Sequence, residues 1–226
     1  SKTFAVQHHH AHMGAVMAEN GLNENVIGVI LDGTGYGYDG TIWGGEIFVG
    51  NYTELKRFAH LEPLKLPGGD TAVKEPWRIA YSYLYSAFDG ALPQLKVFEG
   101  YPIDKVRQML EKNINSPVTS SMGRLFDAVS VLAGGPATIR YEAETAIKLM
   151  HSVESLDFQP YEIEPITDSV IPVKNLIKQV YKDVIENKSI SEIAAKFHLT
   201  IADILIDAVT QAYHKTGIKK IALSGG

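Results

Sequence analysis

The chain has 226 residues, 45% of them hydrophobic, with 26 acidic side chains against 21 basic ones and no cysteine. The net charge of −5 lacks the basic excess that marks binding to nucleic acid or an anionic membrane surface. The missing cysteine excludes disulfides, thiolate metal ligands and a thiol nucleophile on this chain.

The hydrophobic content suits one large domain or two small lobes. No apolar run approaches the roughly 20 residues of a membrane span, and the N-terminal histidines interrupt any signal-peptide core, so a cytoplasmic location is the expectation.

In chain order, Val6 to Asn20 reads as a helix with Val6, Met13, Val16 and Met17 on one side and Gly21 placed to end it. "VIGVIL" (26–31) reads as a buried strand. The glycine-rich turn "DGTGYGYDG" follows it. Thr41 to Gly50 and Tyr52 to His60 are two more strands, which gives an antiparallel meander at one edge of a mixed sheet. Leu61 to Asp70 is a loop by its prolines and glycines.

Beyond it the pattern turns mostly helical. Amphipathic helices are expected over 75–88, 103–113, 120–135 and 141–154, then a strand near Gln159 to Ile163, a helix over Val173 to Glu186 and a long one from Ser191 to Thr216 stopped by Gly217. The chain is thus strand-rich over about 1–60 and mostly helical over about 61–226. "IKKIALSGG" (218–226) reads as a strand entering a glycine turn that opens a next element, so the sequence is expected to be part of a larger domain.

Four of the eight histidines fall in "HHHAH", residues 8 to 12. His8 and His12, four apart, share one helix face with Cβ atoms roughly 5–6 Å apart. Ala15 and Glu19 lie on that face, but Glu19 is about 10 Å along the axis and too far to be a co-ligand. His9 and His10 point to the flanks of the apolar stripe and read as packing or surface groups.

Three readings stay open here: a purification tag, a solvated helix face, and a divalent metal site, for which neutral imidazole is a common ligand. The motif is no zincin, since His9 stands where that motif needs glutamate. A third ligand must come from elsewhere. Asp32, at the end of the 26–31 strand, stands where active groups collect in α/β folds and is the candidate catalytic carboxylate. His60, His151, His198 and His214 read as surface or packing residues, and no Ser-His-Asp arrangement is visible.

"ILDGTGYG" joins an apolar strand, Asp32 and glycines 33, 35 and 37. Such a turn lets backbone N–H groups approach a phosphate, or it is an ordinary hairpin. It is not a Walker A loop. The terminal "IALSGG" is either a glycine approach to a nucleoside or a plain turn. Asp127 in "GRLFDAV" is either an exposed helical acid or a carboxylate that receives ribose hydroxyls.

Taken together, "VQHHHAHMGAVMAENG", "VIGVILDGTGYGYDGTIWGGEIFVG", "LPGGDTAVKEPWRIAYSYL", "SSMGRLFDAVSVLAG" and the closing "LSGG", in this order and spacing, resemble the C-terminal carbamoyltransferase domain of HypF, the nickel–iron hydrogenase maturation protein. The resemblance covers most of the chain. More distantly the segments are similar to the tRNA threonylcarbamoyladenosine synthase subunit and the antibiotic O-carbamoyltransferases.

This resemblance implies an α/β, actin-like, ribonuclease H-like two-lobed fold. It implies iron or zinc held by His8, His12 and Asp32. It also implies ATP or carbamoyl-adenylate beside that cation, and leaves a magnesium ion with the nucleotide open. Gly33, Thr34 and Gly35 would lie near the phosphates, Asp127 on the nucleoside, and Gly225 and Gly226 near the adenosine.

The carbamoyl group would come from the adenylate-forming domain of the full-length protein and go to the C-terminal cysteine of a HypE-type partner, with no role for nucleic acid or membrane. The family's last metal-binding aspartate, and an asparagine after the Gly-Gly turn, are expected beyond Gly226, so the fragment is expected to be inactive alone. "YEAETAIKLMHSVE" departs from the family's Tyr-Glu-Gly-Gln-type segment. Two other classes remain: an actin-like phosphotransferase, which needs no histidine-bound metal, and a non-catalytic partner-docking domain.

Overall fold

The computed structural model describes residues 3, 5–92 and 95–226. The N-terminal helix α1 (His8–Glu19) is followed by the strands β1 (Val26–Tyr36), β2 (Ile42–Gly50), β3 (Leu55–Leu61) and β4 (Leu64–Lys65). Helices α2 (Asp70–Lys74), α3 (Trp77–Ala87) and α4 (Ile103–Lys112) come next, with a 3-10 turn at Lys96–Phe98. Then come β5 (Val118–Thr119), α5 (Met122–Leu132), α6 (Glu144–His151), β6 (Val170–Ile171), α7 (Lys174–Ile185), α8 (Ile190–Thr216) and β7 (Ile221–Gly225).

All seven strands join one mixed sheet. β1, β2 and β3 form the expected antiparallel meander, but inside the sheet and not at its edge, since β7 runs parallel to β1 on its other side. β5 joins β2 and β6 joins β3, so the helical part of the chain also supplies strands to the sheet.

β1 is buried on both faces, which is why it reads as an unbroken apolar run. Its residues alternate with period two. Ile27 and Val29 face the larger core, built with α3, α5, α7 and α8 around Trp77, Leu84, Leu125 and Phe197. Val26 and Ile30 face a smaller core with Met13 and Met17 of α1, Trp43, Phe48 and Ala222. Gly28 is needed on the α1 side: a Cβ there would lie 2.7 Å from Met13 Sδ.

Helix ends follow their caps. Ser121 accepts the Arg124 N–H at the start of α5, and Ser189 accepts that of Glu192 at the start of α8. α8 stops at Gly217, in the left-handed region at φ 73°. α1 is capped by Gln7, whose Oε1 accepts the His10 N–H at 2.9 Å. The same amide donates Nε2–H to the Tyr36 carbonyl at 3.1 Å. These two contacts fix the amide's orientation, so Nε2, 2.8 Å from His9 Nδ1, is a donor there as well. His9 is therefore the neutral Nε2–H tautomer.

Four more expectations need correction. The segment Leu61 to Asp70 is not all loop, since Leu64 and Lys65 form β4 and pair with β5. β1 does not end at Leu31 but runs on to Tyr36, with a register irregularity between Leu31 and Gly35, and the tight turn is Gly37–Gly40. Val6 precedes the helix and is 61% exposed, outside the apolar stripe. The segment 159–163 is no strand. Gln179 takes the place of a neighbouring strand, accepting the Glu162 N–H and donating to the Glu162 carbonyl, while Tyr161 N–H donates to Thr200 Oγ1. A side-chain amide thus satisfies the backbone that an alternating pattern would otherwise commit to a ladder.

Two outcomes follow from the small core under α1. Phe48→Ala, at a fully buried position, is expected to cost about 3–5 kcal/mol in urea unfolding; a loss below about 1 kcal/mol would show that this core does not anchor α1. His9 is fully buried between Trp43 and Phe48. Burial lowers its pKa from 6.5 to about 4, against the opposing pull of Glu46 and Asp32. The unfolded chain takes up this proton first, so stability present above pH 6.5 is lost as pH falls towards 4. Chelator-treated protein should show that slope in its urea midpoint, and His9→Gln should flatten it. Equal slopes in the two proteins would rule out His9 as the titrating group.

Candidate functional site

β1 crosses the α1 face beneath the histidines. Asp32 continues the even-numbered face of Gly28 and Ile30, so its carboxylate points at α1. Oδ2 lies 2.7 Å from His8 Nε2 and 3.6 Å from His12 Nε2, and the two imidazole nitrogens are 3.2 Å apart. One ligand atom from each of the three residues falls within 4.8 Å of the others. His8 is about half exposed, and the Asp32 side chain only 11% exposed. Two imidazoles and one carboxylate with an open side are a donor set suited to zinc or iron(II).

Asp32 is held from several directions. Its Oδ1 accepts the Gly33 N–H at 2.6 Å. The Ser121 hydroxyl, at the N-terminus of α5, lies 2.9 Å from the Asp32 carbonyl and 2.8 Å from that of Gly33. Gly44 on β2 has no room for a side chain, since a Cβ there would meet the Asp32 carbonyl oxygen at 2.4 Å. The neighbouring Ser120 donates to fully buried Glu46 at 2.6 Å. Glu46 also accepts from Gly44 N–H and Arg57 Nε, so the seat beneath Asp32 is cross-linked between β2, β3 and the entry to α5.

On the other side of Asp32 lies a cleft of about 850 Å³, within the size range of small-molecule sites. Asp32, Gly33 and Thr34 line it from β1, Gly123, Arg124 and Asp127 from α5, and Gly226 from beyond β7. Residues 139–143, with half-exposed Tyr141, close the far wall. The N-terminus of α5 opens here, and its positive dipole end favours an anion. A larger cavity beside α3 and α4, about 980 Å³, is lined by Tyr81, Phe98 and Tyr101 and by none of the candidate residues.

Asp127 is not an exposed helical acid. It is 3% exposed, accepts from the Thr145 hydroxyl, and pairs with Arg124 Nη1 at 3.0 Å. Burial raises its pKa above the usual carboxylate range, against the opposing pull of Arg124 and Thr145.

Gly35 does not share the cleft with Gly33 and Thr34. It is buried beneath α1, where a Cβ would meet His9 Cε1 at 2.3 Å and His8 Cδ2 at 2.8 Å. The register irregularity after Leu31 returns this odd-numbered residue to the α1 face, so Gly35 serves helix–strand approach and lies outside the lining of the cleft. Gly225 likewise serves pairing. At φ 149° its Cβ would fall 1.6 Å from the Leu31 carbonyl oxygen, and the next N–H, of Gly226, donates to that oxygen at 3.2 Å.

Two residues escaped the sequence reading of the site. Arg124 lines the cleft, and its signal was its place three residues before Asp127 on α5. His9 has its Nε2 3.8 Å from Asp32 Oδ2, and its signal was the spacing His9, Met13, Met17 along one helix stripe.

The sequence matches the family model described as "Carbamoyltransferase, Kae1-like Domain, second subdomain" over residues 28–226. It is 44% identical to carbamoyltransferase HypF2 of Cupriavidus necator over 72% of this chain and 20% of that protein. It is 35% identical to the probable carbamoyltransferase HypF of Methanocaldococcus jannaschii over 100% of this chain and 30% of that protein.

Among solved structures, full-length HypF in a phosphate- and nucleotide-bound form superposes with a TM-score of 0.89 at 36% identity, over 99% of this chain and 36% of that one. HypF of T. kodakarensis superposes with a TM-score of 0.85 at 34% identity, over 98% and 30%. The chain thus spans between 20% and 36% of the length of these relatives. Sequence and fold agree that this chain belongs to the HypF carbamoyltransferase family and carries the Kae1-like domain's second subdomain.

Proposed function

We propose that this chain is the metal- and adenylate-binding part of a carbamoyltransferase that acts in hydrogenase maturation. The observation that carries this reading is the double membership of Asp32. One carboxylate faces both imidazoles of the His8–His12 pair and also lines the cleft that holds Gly33, Thr34, Asp127 and Gly226. A cation held by His8, His12 and Asp32 would therefore sit at the wall of the nucleotide cleft. When bound, such a cation supplies Lewis-acid stabilisation of charge developing on a phosphate or carbamoyl oxygen.

The chain's own groups divide the remaining work. Asp127, desolvated and fixed by Thr145, suits ribose hydroxyls. Gly33 and Gly226 allow a close approach of ligand to backbone: a Cβ on Gly33 would have only Arg124 nearby, and one on Gly226 only Asp32. The N-terminus of α5 adds fixed dipoles facing the same space. The 36%-identical full-length HypF structure is of a phosphate- and nucleotide-bound form, which supports a nucleotide ligand for this reading.

Because the chain has no cysteine, an acyl-enzyme on sulfur is not formed on it. The attacking thiolate belongs to the C-terminal cysteine of a HypE-type partner, and the carbamoyl-adenylate to an adenylate-forming domain. Attack at the carbamoyl carbon breaks its bond to the phosphate oxygen and releases AMP.

Two substitutions test the halves of this reading separately. His8→Ala should lose most of the zinc or iron seen by elemental analysis while its ATP-binding calorimetry stays measurable; unchanged metal content defeats the ligand assignment. Gly33→Val has room for its first carbon, 3.5 Å from Arg124 Nη2, and its branches would enter the cleft. It should fold normally and bind ATP at least about tenfold more weakly, a loss of about 1.4 kcal/mol. Wild-type affinity in that variant counts against a phosphate beside the β1 bend.

A further inference from the structure

Arg124 is the one strongly basic group set into the inner wall of the cleft among the described residues; Lys74 and Arg140 line it as well, and the Arg140 side chain is 79% exposed and tied to Glu144. Only 9% of the Arg124 side chain is exposed, yet its guanidinium is under-satisfied. Nε has no hydrogen-bond acceptor, and Nη1, although 3.0 Å from Asp127 Oδ2, is not aligned for a hydrogen bond. Nη2 is the atom that a Cβ on Gly33 would meet, at 3.5 Å. A buried guanidinium with Nε and Nη1 unsatisfied is costly, and an anionic group in the cleft would offset that cost.

The geometry points to Arg124 as the side chain that receives a nucleotide phosphate, with Asp127 as its counter-ion; this rests on the nucleotide reading above. Arg124 and Asp127 are three residues apart on α5, close to one turn, about 5 Å along the axis. Gly33 adjoins the Arg124 guanidinium in the same cleft, 3.5 Å from Nη2 at its Cβ position. A 5′-nucleotide with its ribose at Asp127 brings its first phosphate to Arg124 and any further phosphates towards Gly33 and Asp32. The guanidinium fork suits that role, because it offers parallel N–H donors to two phosphate oxygens while keeping its contact with Asp127. The Ser121 cap, which fixes the first turn of α5, holds Arg124 in register with the dipole end of the helix.

The test is calorimetry of this chain with AMP and, separately, adenosine, on wild type and Arg124→Gln. Wild type should bind AMP more tightly than adenosine. Arg124→Gln should weaken AMP by about tenfold or more and leave adenosine affinity unchanged, a pattern that general loss of structure would not produce. Equal AMP affinity in the two proteins, or wild type binding AMP no more tightly than adenosine, overturns the inference while the nucleotide reading stands. Wild type binding neither probe overturns both. Should Arg124→Gln fail to fold, a crystal of the wild-type chain with AMP decides: phosphate oxygens within hydrogen-bond reach of the guanidinium support the assignment, and a phosphate turned away from it sinks it.

Discussion

The site depends on the irregular stretch of β1 between Leu31 and Gly35. A regular strand would send Asp32 and Thr34 to one face and Gly33 and Gly35 to the other without exception. Here Asp32 faces α1, Gly33 and Thr34 line the cleft, and Gly35 is back under α1. The irregularity lets one strand serve two neighbours, a histidine helix and a nucleotide-sized cleft, within three residues. It is held by contacts that leave little freedom: Ser121 at the Asp32 and Gly33 carbonyls, Gly44 against the Asp32 carbonyl, and the buried Glu46 hub beneath.

The helix that faces Asp32 is equally constrained, and mostly by residues with no ligand role. Met13 and Met17 seat α1 on Phe48, Val26 and Ile30, and Gly28 and Gly35 let it approach the strand closely. Gln7 ties its first turn to the Tyr36 carbonyl and fixes the His9 tautomer. Of the four clustered histidines, two are thus presented to Asp32 and two are used inside. His9 fills the core, and His10 lies 2.7 Å from the Asn51 carbonyl through Nε2. This packing makes the presented pair more rigid than a solvated helix face would be, which lowers the entropy lost when ligands must hold one geometry.

Much of this arrangement could be read from the residues. The meander and the long helix with its Gly217 stop follow from strong local signals, apolar runs bounded by turn residues and a left-handed cap; the four-residue spacing put His8 and His12 on one face, and the family resemblance added Asp32 to them. The failures share a cause. Glycine between strands marks either a ligand or a packed helix, and sequence alone does not separate Gly33 from Gly35. An arginine three residues before an aspartate reads as a surface pair until tertiary packing buries both, as with Arg124 and Asp127. The 159–163 segment failed because its backbone partners are the side chains of Gln179 and Thr200, distant in sequence.

Three acids, Asp32, Asp127 and Glu142, line the cleft, and the proposed nucleotide would bring more negative charge to them. Unscreened, that assembly would repel itself. Arg124 and the N-terminal end of α5 stand beside Asp127, and Asp32 faces an imidazole pair with which it forms a donor set suited to a divalent cation. Under the proposed function, Arg124 beside Asp127 and a cation held at Asp32 would each be shared with the ligand. Binding of the proposed ligand would then rest on completing half-satisfied pairs more than on opening new ones, which is what a preorganised polar site requires.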